Sequence, residues 1–153
     1  MTITVRPASD TDTPLLADFN RAMAWETEHR ELDTQTITQG VRSFLARQDY
    51  GFYLVAEIEG RVVGCLMVTF EWSDWRNGLF WWIQSVYVHP DFRRRGVFKT
   101  LYRTVETRAR ETPGVCGLRL YVEQDNAAAQ QTYRSLGMAL TPYQMFETEI
   151  GTG

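Results

Sequence analysis

A chain of 153 residues has the length of one domain and can bury about 70% of its unfolded surface. With 44% hydrophobic and 23% charged residues it is not an intrinsically disordered polymer. A net charge of −3 and a pI near 5.4 exclude a global attraction to nucleic acid or to an anionic membrane.

Ile3 and Val5 alternate with polar neighbours, which predicts a strand that Pro7 ends. Ser9 or Asp10 can cap a helix with Leu15, Phe19, Ala22, Met23 and Glu26 on one face. A second helix is expected over Thr34 to Arg47, with Ile37, Val41, Phe44 and Leu45 inward. The period then changes to two. Phe52 to Glu59 and Arg61 to Trp72 predict a hairpin joined at Glu59-Gly60, and Asn77-Gly78 marks the next turn. Leu79 to Val88 reads as a strand buried on both faces, closed by Pro90.

After Gly96, Val97, Leu101, Val105 and Ala109 recur at helical spacing until Pro113-Gly114. Gly117 to Glu123 predicts a strand, and Asp125-Asn126 can cap a short helix that Gly137 stops as a left-handed residue. Met138 to Leu140 and Gln144 to Ile150 predict a final hairpin. The resulting order, β-α-α-β-β-β-α-β-α-β-β, predicts an α/β domain over residues 1–153.

The two cysteines, Cys65 and Cys116, have neither CxxC nor metal-ligand spacing and fall in strand-like surroundings, so buried reduced thiols are expected. His29 and His89 have no ligand companions at recognisable spacing, so no metal is implied. The segment MTITVRPASD lacks the layout of a signal peptide, and the most apolar run is too short to span a membrane. A cytoplasmic protein is the expectation.

The chemistry concentrates between Ser85 and Thr100, where Arg93, Arg94, Arg95 and Lys99, with Arg103 just beyond, gather in an otherwise acidic chain. A strand runs into an arginine-loaded turn, then Gly96, then a helix start. Free N–H groups and the helix dipole bind phosphate there, and glycine admits close approach. No Gly-Lys-Ser/Thr and no GxGxxG is present, which excludes a P-loop and a Rossmann fingerprint.

Arg93-Arg94-Arg95-Gly96-Val97-Phe98 resembles the Arg/Gln-x-x-Gly-x-Gly/Ala signature of the GNAT acetyltransferase superfamily, departing where Phe98 replaces a small residue. The preceding Val86-Tyr87-Val88-His89-Pro90 also resembles that family, as does Tyr121 through Met138. The resemblance implies a GNAT fold: a central mixed, mostly antiparallel sheet of about six to seven strands flanked by about four helices. It implies acetyl-CoA as co-substrate, held by Val86, Tyr87, Val88, Arg93, Arg94, Arg95, Gly96, Val97, Phe98, Lys99, Asn126 and Tyr133. Backbone groups of Val86 and Val88 would hold the pantetheine arm, with the Val86 N–H as oxyanion donor. Phe98, beside Leu101 and Tyr102 in the helical period, is expected to turn into the core.

Asn126 and Tyr133 lie seven residues apart and so share a helix face. A tyrosine stays protonated at neutral pH and can serve as the acid for a departing thiolate. The central strand carries no carboxylate, so the base comes from elsewhere or through water. Glu26 continues the apolar face of the first helix, whereas Glu28 is turned about 200° away. It is expected to point inward with a pKa raised by desolvation; an ion pair is the competing reading, and Glu71 and Glu123 are further candidates. Trp72 and Trp75, with Trp25 and the acidic residues 26–33, suggest a cationic or aromatic amine. The implied acceptor is a small-molecule or peptide amine, with no nucleic acid or membrane partner. A homodimer is compatible with the family, and a CoA-binding regulatory module or transfer of another acyl group are the alternatives.

Overall fold

The computed structural model describes residues 1–151. They divide into two compact units, the first ending at Leu120 and the second starting at Tyr121.

The first unit is built on five strands: β1 (Ile3–Pro7), β2 (Gly51–Ile58), β3 (Arg61–Ser73), β4 (Gly78–Val88) and β5 (Val115–Arg119). They lie in chain order in one sheet, antiparallel except for the parallel β4–β5 pair. The β2–β3 turn forms where the dipeptide signal placed it. Glu59 and Gly60 both take positive φ, 52° and 78°, which matches the right-handed twist of the strands they join.

Helices α1 (Thr13–Glu28) and α2 (Thr34–Leu45) cover one face, and α3 (Val97–Glu111) covers the other. Asp33 caps α2 through the Thr36 N–H at 2.9 Å. On the α1–α2 face Leu16, Phe19, Val41 and Phe44 meet Tyr53, Val55, Cys65 and Tyr87. On the other, Val97, Leu101 and Val105 of α3 are buried, and the rings of Phe52, Phe70 and Trp81 cluster beneath Arg108. Full burial of such a side chain is worth about 1.5–3 kcal/mol, so the two apolar layers hold the sheet in place.

Entry into α1 is tied by charge. Arg6 on β1 grips Asp12 with two nitrogens, at 2.8 and 3.0 Å, and reaches Glu57 on β2 at 3.1 Å. The Ser9 N–H donates to the same Asp12 carboxylate at 2.7 Å.

The second unit contains α4 (Ala127–Ser135). Gly137, at φ 97°, ends it: Met138 N–H returns to Tyr133 O and Gly137 N–H to Arg134 O, as the left-handed cap expected at that glycine requires.

The described residues thus hold five strands, fewer than the six to seven expected. No strand forms over 138–151, where Leu140, Met145, Phe146 and Ile150 are exposed. Alternation marks a strand only when a neighbour supplies the ladder, and this segment has none. β5 also stops at Arg119 rather than running to Glu123. Cys116, expected buried, is exposed: its neighbour across the sheet is Gly78, which has no side chain to cover it.

Arg6 holds the Asp12 carboxyl below its ordinary value of 3.8, chiefly through the side-chain hydrogen bonds. A depressed folded pKa stabilises the fold fully above the unfolded value, and that contribution disappears as pH falls through the folded one. Asp12→Asn is expected to cost about 2 kcal/mol at pH 7, since Arg6 is partly solvated. Thermal melts should show the penalty shrinking below pH ~4.

Candidate active site

β4 organises the site because its two edges are treated differently. On the β3 side it is paired from Gly78 to Val88, whereas on the β5 side the ladder runs only from Leu79 to Trp82. Beyond Trp82 no described strand of the first unit covers that edge. The parting point is clamped by Glu71 of β3. One of its carboxylate oxygens accepts from Trp82 Nε1 at 3.0 Å and from Arg119 Nη1 at 2.8 Å, so a single side chain ties three strands where two of them separate. Glu71, a further candidate base, is thus ion-paired at the parting point.

The open stretch also contains a bulge. Cys65 faces Tyr87 and Met67 faces Gln84, leaving Ser85 and Val86 together opposite Leu66. Ser85 takes φ 49°, a left-handed conformation rare for a serine. Past the bulge the His89 N–H donates to Val63 O at 2.8 Å. Antiparallel pairing alternates direction, so the adjacent Val88 turns its N–H and C=O to the open edge.

The chain then makes a 3₁₀ turn at Pro90–Phe92 and enters the arginine loop. Arg94 (φ 63°) and Gly96 (φ 83°) are both left-handed, and Gly96 is the residue before α3. A Cβ at Gly96 would meet nothing within 4 Å, so the space beside the start of α3 is open. The first-turn N–H groups of a helix such as α3, including those of Val97 and Lys99, have no intrahelical partners, and they sit at the positive end of the dipole. Arg94, Arg95 and Lys99 are exposed around them. Open space, a helix N-terminus and positive charge fit the diphosphate of a CoA ester. Phe98, expected in the core, is half-buried, its ring tilted against Tyr102 at 6.2 Å.

Arg93 is different from its neighbours. Its Nε donates to Val88 O at 2.8 Å, and its Nη2 reaches both oxygens of Glu26 at 2.8 and 3.2 Å. Its guanidinium lies over the Tyr87 ring, whose hydroxyl also faces Glu26 at 3.4 Å. Glu26 is therefore an exposed, ion-paired carboxylate and not the inward, desolvated one that helix periodicity predicts. The last turn of α1 runs past the apolar layer, with Trp25 also exposed, so its face has nothing to bury against.

In the second unit Asn126 Oδ1 caps α4 through the Ala129 N–H at 3.1 Å, and Tyr133 stands in the last turn of that helix. Burial raises the Tyr133 phenol above its ordinary value of 10.0, so it is protonated at neutral pH. Trp72 and Trp75 are exposed about the β3–β4 turn.

The sequence profile of the acetyltransferase (GNAT) family matches residues 13–138. The chain belongs to that family. A possible acetyltransferase from Clostridium difficile is 41% identical, with a TM-score of 0.91 over 99% of this chain and 100% of that one. Mycothiol acetyltransferase from Saccharomonospora viridis is 29% identical over 94% of this chain and 45% of its own length. A predicted acetyltransferase from Clostridium acetobutylicum, solved with acetyl-CoA, shares the fold at 16% identity, with a TM-score of 0.77 over 96% of each chain. The chain spans about half the length of the curated relatives it matches.

Two features of this GNAT protein escaped the sequence reading. An ion pair was the competing expectation for Glu26, but its partner, Arg93, lies 67 positions away and has no local signature. The bulge has only a faint one, the polar Gln84-Ser85 step inside an apolar strand. Among the described residues no three His, Cys, Asp or Glu side chains gather as metal ligands, and no helix is long and apolar enough to cross a membrane.

Cys65 is fully buried and burial pushes its thiol up to about 12, whereas Cys116 is exposed. A thiol reagent at pH 8 is expected to modify Cys116 alone in the native protein and both cysteines in guanidinium, as mass spectrometry of the labelled peptides will show.

Proposed function

We propose that residues 1–153 act as one N-acetyltransferase domain, moving the acetyl group of acetyl-CoA to a primary amine of a small molecule or peptide by direct attack. The observation that carries this reading is the uncovered, bulged edge of β4 leading straight into the Gly96 anion loop. An extended pantetheine arm can add to that edge as a strand would, while its diphosphate meets the α3 N-terminus. Bound acetyl-CoA supplies an activated acyl thioester.

The roles of the chain's own groups follow. Backbone groups of Val86 and Val88, flanking Tyr87, orient the arm, and the Val86 N–H polarises the acyl oxygen as negative charge develops there. One such donor is worth roughly 10²–10³ in rate. The N–H groups of Gly96, Val97, Phe98 and Lys99, with Arg94 and Arg95, hold the diphosphate. Arg93 contributes once it exchanges Glu26 for phosphate, and that exchange leaves the Glu26 carboxylate able to take the proton of the acceptor amine. Asn126 belongs to the cofactor set, and the neutral Tyr133 phenol is suited to return a proton to the departing sulfur. Exposed Trp25, Trp72 and Trp75 suit a cationic or aromatic amine.

Calorimetry with acetyl-CoA tests the loop. Wild type is expected to bind, and Gly96→Glu, whose carboxylate would occupy the open space beside α3, is expected not to. Wild type that does not bind acetyl-CoA sinks the reading. With a productive amine found by screening, Tyr133→Phe is expected to lower kcat by about 10²–10⁴ with little change in acetyl-CoA affinity. An unchanged kcat removes Tyr133 from the acid role.

A further inference from the structure

Ser85 is held through its backbone carbonyl, and buried polar groups from three parts of the fold gather behind it. From β3, the Cys65 thiol donates to Ser85 O at 3.4 Å, with the Tyr87 N–H beside the same sulfur. From β2, the Tyr53 hydroxyl faces the Ser85 side chain. From α1, Asn20 Nδ2 donates to that hydroxyl at 3.1 Å and to Leu16 O at 2.9 Å. The thiol therefore bridges the two ends of the bulge, where the regular ladder is interrupted.

These groups sit in an otherwise apolar layer: Cys65 is 0%, Tyr53 3% and Asn20 8% exposed. Phenylalanine, valine and leucine would fill those places without the cost of burying polar atoms, which is large unless every atom is bonded. What the polar set adds is a fixed geometry at one residue of β4. Burial pushes both the Tyr53 phenol and the Cys65 thiol up to about 12, so at neutral pH each is a neutral hydrogen-bond donor.

We infer that Cys65, Tyr53 and Asn20 are positioning residues that lock Ser85 in its left-handed bulge and so set the angle of the Ser85–Val86 peptide whose N–H polarises the acyl carbonyl. The inference rests on the acetyl-CoA reading above and adds three residues that touch neither the cofactor loop nor the proton-transfer groups. A serine at position 65 preserves a donor; an alanine does not.

The test is carbon-13 NMR of acetyl-CoA labelled at the acetyl carbonyl, bound in turn to wild type, Cys65→Ala, Cys65→Ser and Tyr53→Phe. A hydrogen-bonded carbonyl is deshielded, so the wild-type signal is expected downfield of free acetyl-CoA. Cys65→Ala and Tyr53→Phe are expected to return it most of the way to the free position, while Cys65→Ser retains the displacement. Affinity for CoA itself, which lacks the acetyl group, is expected to stay within about threefold, less than one tenfold step. That split separates positioning from general loss of structure, and thermal melts identify any variant that fails to fold. Should Tyr53→Phe not fold, the Cys65 pair carries the test alone. A displaced signal that is the same in Cys65→Ala as in wild type overturns the positioning role and leaves the cofactor reading intact. No bound signal from wild type overturns both.

Discussion

A β-strand must place every backbone N–H and C=O somewhere, and β4 is the strand that leaves this account open. β3 satisfies one of its edges through most of its length, but β5 matches the other only as far as Trp82. Glu71 makes the parting definite by binding Trp82 and Arg119 together. An unpaired strand edge invites any extended chain of donors and acceptors, and most proteins blunt such edges. Here the edge is kept, and it points into a loop with left-handed residues at Arg94 and Gly96 and the uncapped start of a helix. The arginine loop and the strand edge are consecutive in sequence, so one short segment carries both features on which the proposed acetyl-CoA site rests.

Charge is arranged with similar economy. Arg93, Arg94 and Arg95 would repel one another if all three faced the same space. Arg93 is drawn aside by Glu26, Val88 O and the Tyr87 ring, leaving its two neighbours and Lys99 about the start of α3. The Glu26–Arg93 pair is half in solvent, so it is worth about 1 kcal/mol at most. A bond of that size holds a side chain in a defined place and yields readily to a stronger anion.

Much of this was legible in the residues. Turn and cap chemistry is local: Glu59-Gly60, Gly96 and Gly137 each do what their type favours, and the structure places each where it was read. The turn into α3 at Gly96 was readable for the same reason, since it is made by a handful of consecutive residues. What could not be read depends on pairing. An extra residue in β4 is visible only when Cys65 and Met67 are set against it. The orientation of Glu26 depends on how far α1 overruns the core, and the alternating residues after Gly137 had no partner strand to make a ladder. Cys116 looked buried because its neighbours in sequence are apolar, yet its neighbour across the sheet is Gly78, which leaves it uncovered.

The anchoring of Ser85 from α1, β2 and β3 has a consequence for how such a protein can change over evolutionary time. In many enzymes the core drifts by neutral exchange of one apolar side chain for another while the reacting groups stay put. Here the same buried layer that stabilises the sheet also bears on the backbone at the bulge, so a substitution at Asn20, Tyr53 or Cys65 that a stability screen would pass as harmless still moves the peptide beside Val86. Packing and backbone geometry are inherited as one trait in this part of the molecule, whereas the exposed residues of the β3–β4 turn are free of that constraint.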